Sequence, residues 1–210
     1  MVADLLTKQR LSSYLAARNG DLADAMRLYE WNTTACAAVI QTVALAEVIA
    51  RNALDWQLVE WAANQPGSRS WLDIAPLDSH GQADIVEARR RATRNGRDPE
   101  IHGKVVAELS FGFWRYLTTS RYHANLWVPA LSFGFPGAHN DIRRRRDDVE
   151  QAMDRLCFVR NRAAHHEPIH RRNLIRDLTA AVTLCGWVNP NGAAWARAIS
   201  TLPQALAAKP

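Results

Sequence analysis

At 210 residues and 23.6 kDa the chain has room for one sizeable hydrophobic core. Its 48% hydrophobic and 22% charged residues exclude the low-hydrophobicity, high-charge character of a disordered chain. A formal charge of +5 and a pI near 9.5 tilt it toward polyanionic partners, because basic surface releases counterions from phosphate backbones.

Helical periodicity dominates and alternating β-branched runs are missing, which predicts an all-α protein. The first helix is expected from about Thr7 to Arg18, stopped by Asn19-Gly20, with Asp21 as the next N-cap. The pattern then stays helical to about Ala63. A break is expected at Asn32-Thr33-Thr34, where polar side chains compete for backbone hydrogen bonds, giving two consecutive helices. Val39, Val43, Ala46, Ala50, Leu54 and Leu58 recur at three- and four-residue intervals and form an apolar stripe for a bundle core.

Residues 64–81 carry Pro66, Gly67, Ser68, Pro76 and Ser79, which predicts a loop over the bundle pinned by Trp71 and Leu72. A basic helix is expected from about Gln82 to Arg94, stopped at Asn95-Gly96, and another from Pro99 to about Thr119. Residues 120–140, with Trp127, Pro129, Phe133, Phe135 and Pro136, read as a packed connection with one helical turn. Asp141 opens a long helix over about 141–166, where Pro168 enforces an end. C-terminal helices follow over about 171–210, the first from Arg171 to Cys185 and a short one after Asn189-Pro190. Residues 1–210 read as a single domain without internal repeats.

Cys36, Cys157 and Cys185 are widely separated and form no C-x-x-C pair, so they read as reduced core thiols. The first residues lack a basic region followed by an apolar run. No uninterrupted apolar stretch approaches the ~20 residues of a membrane span. A cytoplasmic location, with no membrane partner, is expected.

Phe158 to His170, FVRNRAAHHEPIH, holds two rival motifs. His166, Glu167 and His170 spell H-E-x-x-H, which binds zinc only when a continuous helix brings both imidazoles to one face. Pro168 at the third position removes a backbone donor and clashes with the preceding turn, at a cost of about 3 kcal/mol. No third-ligand continuation follows, since the run becomes Arg171-Arg172-Asn173. No metal or other cofactor is therefore expected.

The rival motif is Arg160, Asn161 and His165. Asn161 and His165 lie about 40° apart on a helix, one turn from each other, with Arg160 flanking them. A histidine moves protons near neutral pH, an arginine grips phosphate oxygens, and an asparagine holds an imidazole or a phosphate oxygen. These groups suit RNA cleavage without a metal. One histidine does not easily act as both acid and base, so a symmetric dimer that brings a second His165 and Arg160 into one cleft is expected. The same three residues also serve as solvated side chains favourable to a helix C-terminus.

Four segments in order carry a resemblance: Leu45 to Leu54 (LAEVIARNAL), Leu109 to Leu117 (LSFGFWRYL), Leu126 to Pro136 (LWVPALSFGFP) and Val159 to Ile169 (VRNRAAHHEPI). Over roughly residues 11–186 the chain resembles the Abi-like family, named for bacterial abortive infection, within the HEPN superfamily of helical RNA-cleaving domains. That superfamily's arginine and histidine, four to six residues apart, map onto Arg160 and His165 with four residues between them.

The resemblance implies a HEPN-type helical bundle with an extra helical and loop insertion. It also implies a metal-independent endoribonuclease that acts on RNA as a homodimer, in phage defence or a toxin–antitoxin system, with a possible protein or RNA antitoxin. Glu47, Arg51 and Asn52 match the family's earlier motif and are candidates to line the same cleft. Glu47 and Arg51 also stand at i, i+4, as in an ordinary helix salt bridge. His166 either binds phosphate or caps the helix before Pro168, and ranks below His165. The alternative reading is a non-catalytic RNA-binding or toxin-neutralising module. Phe111 to Trp114 is assigned to packing. The runs Arg89-Arg90-Arg91 and Arg143 to Arg146 are open between a solvated, paired face and a phosphate-tracking surface.

Overall fold

The computed structural model describes residues 2–67 and 69–210, so Ser68 of the turn-rich segment lies outside the described residues. Those residues form an all-α structure without strands: α1 (Lys8–Ala17), α2 (Leu22–Ala63), α3 (Trp71–Ile74), α4 (Ser79–Ala92), α5 (His102–Glu108), α6 (Phe111–Leu117), α7 (Ile142–Ala164), α8 (Leu174–Val188), α9 (Pro190–Ile199) and α10 (Leu202–Ala207). Thr7 caps α1, and Asn19 and Gly20 take positive φ at its end. Asp21 caps α2 by accepting from Asp24 N at 2.8 Å.

α2 is the axis of the molecule, 42 residues and about 60 Å long, with α1, α7, α8, α9 and α10 packed along it. The expected break at Asn32-Thr33-Thr34 does not occur. Thr33 and Thr34 turn their hydroxyls back onto the carbonyls of Tyr29 and Glu30, four residues earlier. Asn32, buried, directs its amide to Ile169 and Glu167 of a distant segment and to Cys36 Sγ one turn on, leaving the helix backbone intact. α2 has the length and apolar composition of a membrane-crossing helix. Its stripe is nonetheless packed against protein: Val39, Val43, Ala46, Ala50, Leu54 and Leu58 are at most 2% exposed. Each large aliphatic side chain so buried contributes about 1.5–3 kcal/mol.

The loop expected over 64–81 contains the short α3, whose Trp71 and Leu72 are buried and anchor it, Trp71 Nε1 donating to Asp55 Oδ1 at 2.8 Å. α4 starts at Ser79, earlier than expected, because Asp78 caps it. The single helix expected from Pro99 to Thr119 is two. Leu109 is extended, and Ser110 restarts the chain as an N-cap that accepts from Phe113 N at 3.1 Å. Phe111, Phe113 and Trp114 are buried, the last two against Trp71, as their assignment to packing requires.

The connection after α6 holds three short non-α helical segments, Ser120–Tyr122, His123–Trp127 and Leu131–Gly134, where one turn was expected. Gly137 closes it onto α8: its N–H donates to Trp187 O at 2.9 Å, and a Cβ there would sit 2.9 Å from Gly186 O. α8 starts at Leu174, later than Arg171, because Asn173 is its cap. Two helices, α9 and α10, follow in place of one. One continuous core runs from Tyr14 to Ala205. The three cysteines are free thiols, Cys36 and Cys185 buried and Cys157 partly so.

Candidate active site

α7 carries the motif. Asp141 caps its start, accepting from Arg144 N at 2.8 Å, and Val149, Met153, Leu156, Val159 and Ala163 bury its inner face. The helix ends at Ala164, slightly before the expected His166, with His165 as C-cap. Glu167 N donates to Arg162 O at 2.8 Å and His166 N to Ala163 O at 3.0 Å, the paired bonds of a Schellman stop. His166 therefore takes the left-handed position, φ +55°, where glycine is usual.

This ending separates the residues of H-E-x-x-H. His166 lies exposed beside Arg10 and Tyr29, in a pocket that also reaches Cys36. His170 is buried, its Nε2 3.4 Å from Ser13 Oγ and its ring 5.0 Å from that of Tyr14. Burial holds the His170 imidazole below its ordinary pKa, and the nearby charges of Arg171, Lys209 and Arg18 act the same way. Among the described residues, no three His, Cys, Asp or Glu side chains gather as a metal site requires.

The segment after α7 is held by side chains from distant parts of the chain. Arg10 donates to the His166 carbonyl. Asn32 Oδ1 accepts from Ile169 N at 2.8 Å while its Nδ2 donates to Glu167 O at 3.4 Å. Arg162 donates to Pro168 O at 3.0 Å, and Lys209 Nζ to His170 O at 2.6 Å. Sequence reasoning missed the part of Asn32 in this set. The signal was an asparagine within an apolar helical stretch, which needs a partner once buried.

α2 and α7 pack together, and their facing flanks assemble most of the candidate residues. Glu47 on α2 is partly buried; burial pushes its carboxyl pKa up, while Arg160 of α7 and Arg51 of α2 are close enough to pull it down. Arg160 donates to Asn161 Oδ1 at 3.2 Å, and Asn161 Nδ2 to Cys157 Sγ at 3.8 Å. Arg51 donates to Asn52 Oδ1 at 3.4 Å, and of the two readings left open for Glu47 and Arg51 the intrahelical salt bridge is not formed among the described residues. Burial also raises the Cys157 thiol, against the pull of Arg115 and Arg160. Arg115 on α6, paired with Asp154 at 3.7 Å, is thus a further cation beside Cys157 and Arg160 that was not singled out from the sequence.

His165 sits one turn beyond Asn161. It is exposed and makes no side-chain hydrogen bond or ion pair among the described residues. It stands five positions after Arg160, which places the two about 140° apart around the helix. Arg160 faces α2, and His165 faces outward. The structure brings together Glu47, Arg51, Arg160 and Asn161, with Asn52 bonded to Arg51; His165 follows one turn beyond Asn161 but away from Arg160, and His166 lies apart beside Arg10.

The basic runs divide. Arg89 pairs with Asp73 and Glu100, Arg90 with Glu87, and Arg91 with Glu87 and Glu108, so this run is a paired face. In the second run Arg146 is buried against Asp147, Glu150 and the Thr118 carbonyl, whereas Arg143 and Arg144 are exposed. Compared with known proteins, the chain matches no family model, no curated protein and no solved structure.

Proposed function

We propose that the chain is a HEPN-type, metal-independent endoribonuclease of the Abi-like kind, acting in the bacterial cytoplasm as a homodimer in phage defence or a toxin–antitoxin system. The observation that carries this reading is the cluster of Arg160 and Asn161 against Glu47 and Arg51, one turn from an exposed, unengaged His165.

In the reaction one His165 takes the proton of a 2′-hydroxyl, whose oxygen attacks the adjacent phosphorus. The bond from phosphorus to the 5′ oxygen breaks, and a second His165 returns a proton to that oxygen. The products are a 2′,3′-cyclic phosphate and a 5′-hydroxyl. Arg160 meets the charge that builds on the phosphorane, and Asn161 orients it. A cognate antitoxin, protein or RNA, restrains the activity.

The test is cleavage of RNA by the purified protein in excess chelator. Wild type should cut, with His165→Ala and Arg160→Ala each slower by about 10²-fold or more. Activity abolished by chelator, or retained by both variants, overturns the reading. The second reading, a non-catalytic RNA-binding or toxin-neutralising module, is favoured by the divergence of Arg160 and His165 around α7. A lone copy presents them to different sides, and would bind RNA in a salt-sensitive way without cutting it.

A further inference from the structure

Phe158 is 51% exposed on the outer face of α7. Two guanidiniums lie over its ring: Arg172 at 4.9 Å and Arg162 at 5.7 Å from the centroid. Both are fixed from behind. Arg162 pairs with Glu167 at 3.1 Å and donates to Pro168 O, and Arg172 grips buried Asp177 at 2.6 Å. Arg155 reaches the same carboxylate at 3.1 Å, so two arginines share one acid.

The ring borders a groove between α7 and α8. Two adjoining depressions, about 340 and 360 Å³, meet at Gln151 and Arg155, and the second is edged by Phe158 and Arg172. These volumes fall within the range of ligand sites. Along the helix, Phe158 and His165 are seven residues apart, which puts them about 20° from each other in angle and about 10 Å apart on the same outer face.

An exposed ring braced by arginines, beside a groove where Arg155, Arg172 and Arg176 stand among Asp148 and Asp154, matches the chemistry by which unpaired bases are held. Every base has a π-face to stack, and the backbone phosphates follow the cations. We infer that Phe158, braced by Arg162 and Arg172, is a stacking platform for an unpaired base of single-stranded RNA. The strand runs along the α7–α8 groove and across Phe158 toward His165. The inference rests on the ribonuclease reading for what happens at His165, but not for the binding itself.

The test is the affinity of wild type and of Phe158→Ala, Phe158→Leu and Phe158→Tyr for a cleavage-inert, single-stranded 2′-O-methyl RNA oligonucleotide, measured by fluorescence anisotropy. Thermal melting accompanies each variant. Phe158→Ala and Phe158→Leu should bind about 10- to 100-fold more weakly, and Phe158→Tyr within about twofold of wild type. Equal binding by wild type and Phe158→Ala overturns the platform, as does full retention by Phe158→Leu or failure of wild type to bind. Cleavage of natural RNA is scored separately. Phe158-dependent binding without any cleavage supports the platform and sinks the ribonuclease reading. Cleavage with unaltered Phe158→Ala affinity does the reverse.

Discussion

His166 occupies the one position at the end of α7 where an L side chain is unfavourable. Its φ of +55° is imposed by the Schellman stop, and its carbonyl is held by Arg10. The left-handed conformation costs a non-glycine residue about 1–2 kcal/mol. His166→Gly should therefore raise stability by about 1 kcal/mol, and the β-branched His166→Val should lower it, as read from urea midpoints. The same pair of variants separates the two roles considered for this histidine. If His166 serves the helix stop, His166→Gly cuts RNA as wild type does; if it holds phosphate, stability rises while cleavage falls. An unchanged urea midpoint in His166→Gly would refute the account of the stop itself.

At the scale of elements, the end of α7 is a built junction. Backbone groups of residues 166–170 are tied to α1, α2, α7 and the C-terminal tail, so the loop that follows His165 is positioned from four directions. Asn32 is the buried member of the set, and Asn32→Ala leaves Ile169 N–H and Glu167 C=O without it. The expected loss is about 1–3 kcal/mol in urea unfolding, the cost of buried polar groups left unsatisfied. RNA cleavage should fall as well, because the helix end loses its brace. A variant as stable as wild type would show that water or a shifted loop replaces the clamp.

The same residue marks where sequence reasoning reaches its limit. Caps and stops that depend on neighbours in the chain were legible: Asp21, Asn19-Gly20, Asn95-Gly96, Asp141 and the stop before Pro168. Asn32 looked like a helix breaker because its partner lies 137 residues away and only tertiary packing brings the two together. Ser110, by contrast, was a readable N-cap overlooked within an apolar run. In the candidate site, the proximity of Arg160 to Asn161 followed from spacing alone. The approach of Glu47 and Arg115 depended on how α2 and α6 pack against α7, which no periodicity encodes.

At the scale of the whole molecule, the divergence of Arg160 and His165 around α7 sets the requirement on assembly. One copy offers a phosphate either the arginine flank or the histidine face. On the proposed reaction it also offers only one His165, whereas 2′-hydroxyl attack needs a base and an acid. A two-fold axis past the end of α7 meets both needs, placing two His165 rings and two Arg160 guanidiniums around one phosphate. Under the proposed ribonuclease reading, the active species is a dimer in which each chain is indispensable.

Co-expressing wild type with His165→Ala tests this without knowledge of the natural RNA. In random pairing at equal amounts, half of the wild-type chains fall into mixed dimers with a single imidazole, so activity per wild-type chain should drop to roughly half, and further as the variant is in excess. Sedimentation of the mixture reports whether dimers form. Activity per wild-type chain that stays constant at every mixing ratio, with dimers present, would show that each copy cuts on its own and that the histidine face needs no second imidazole.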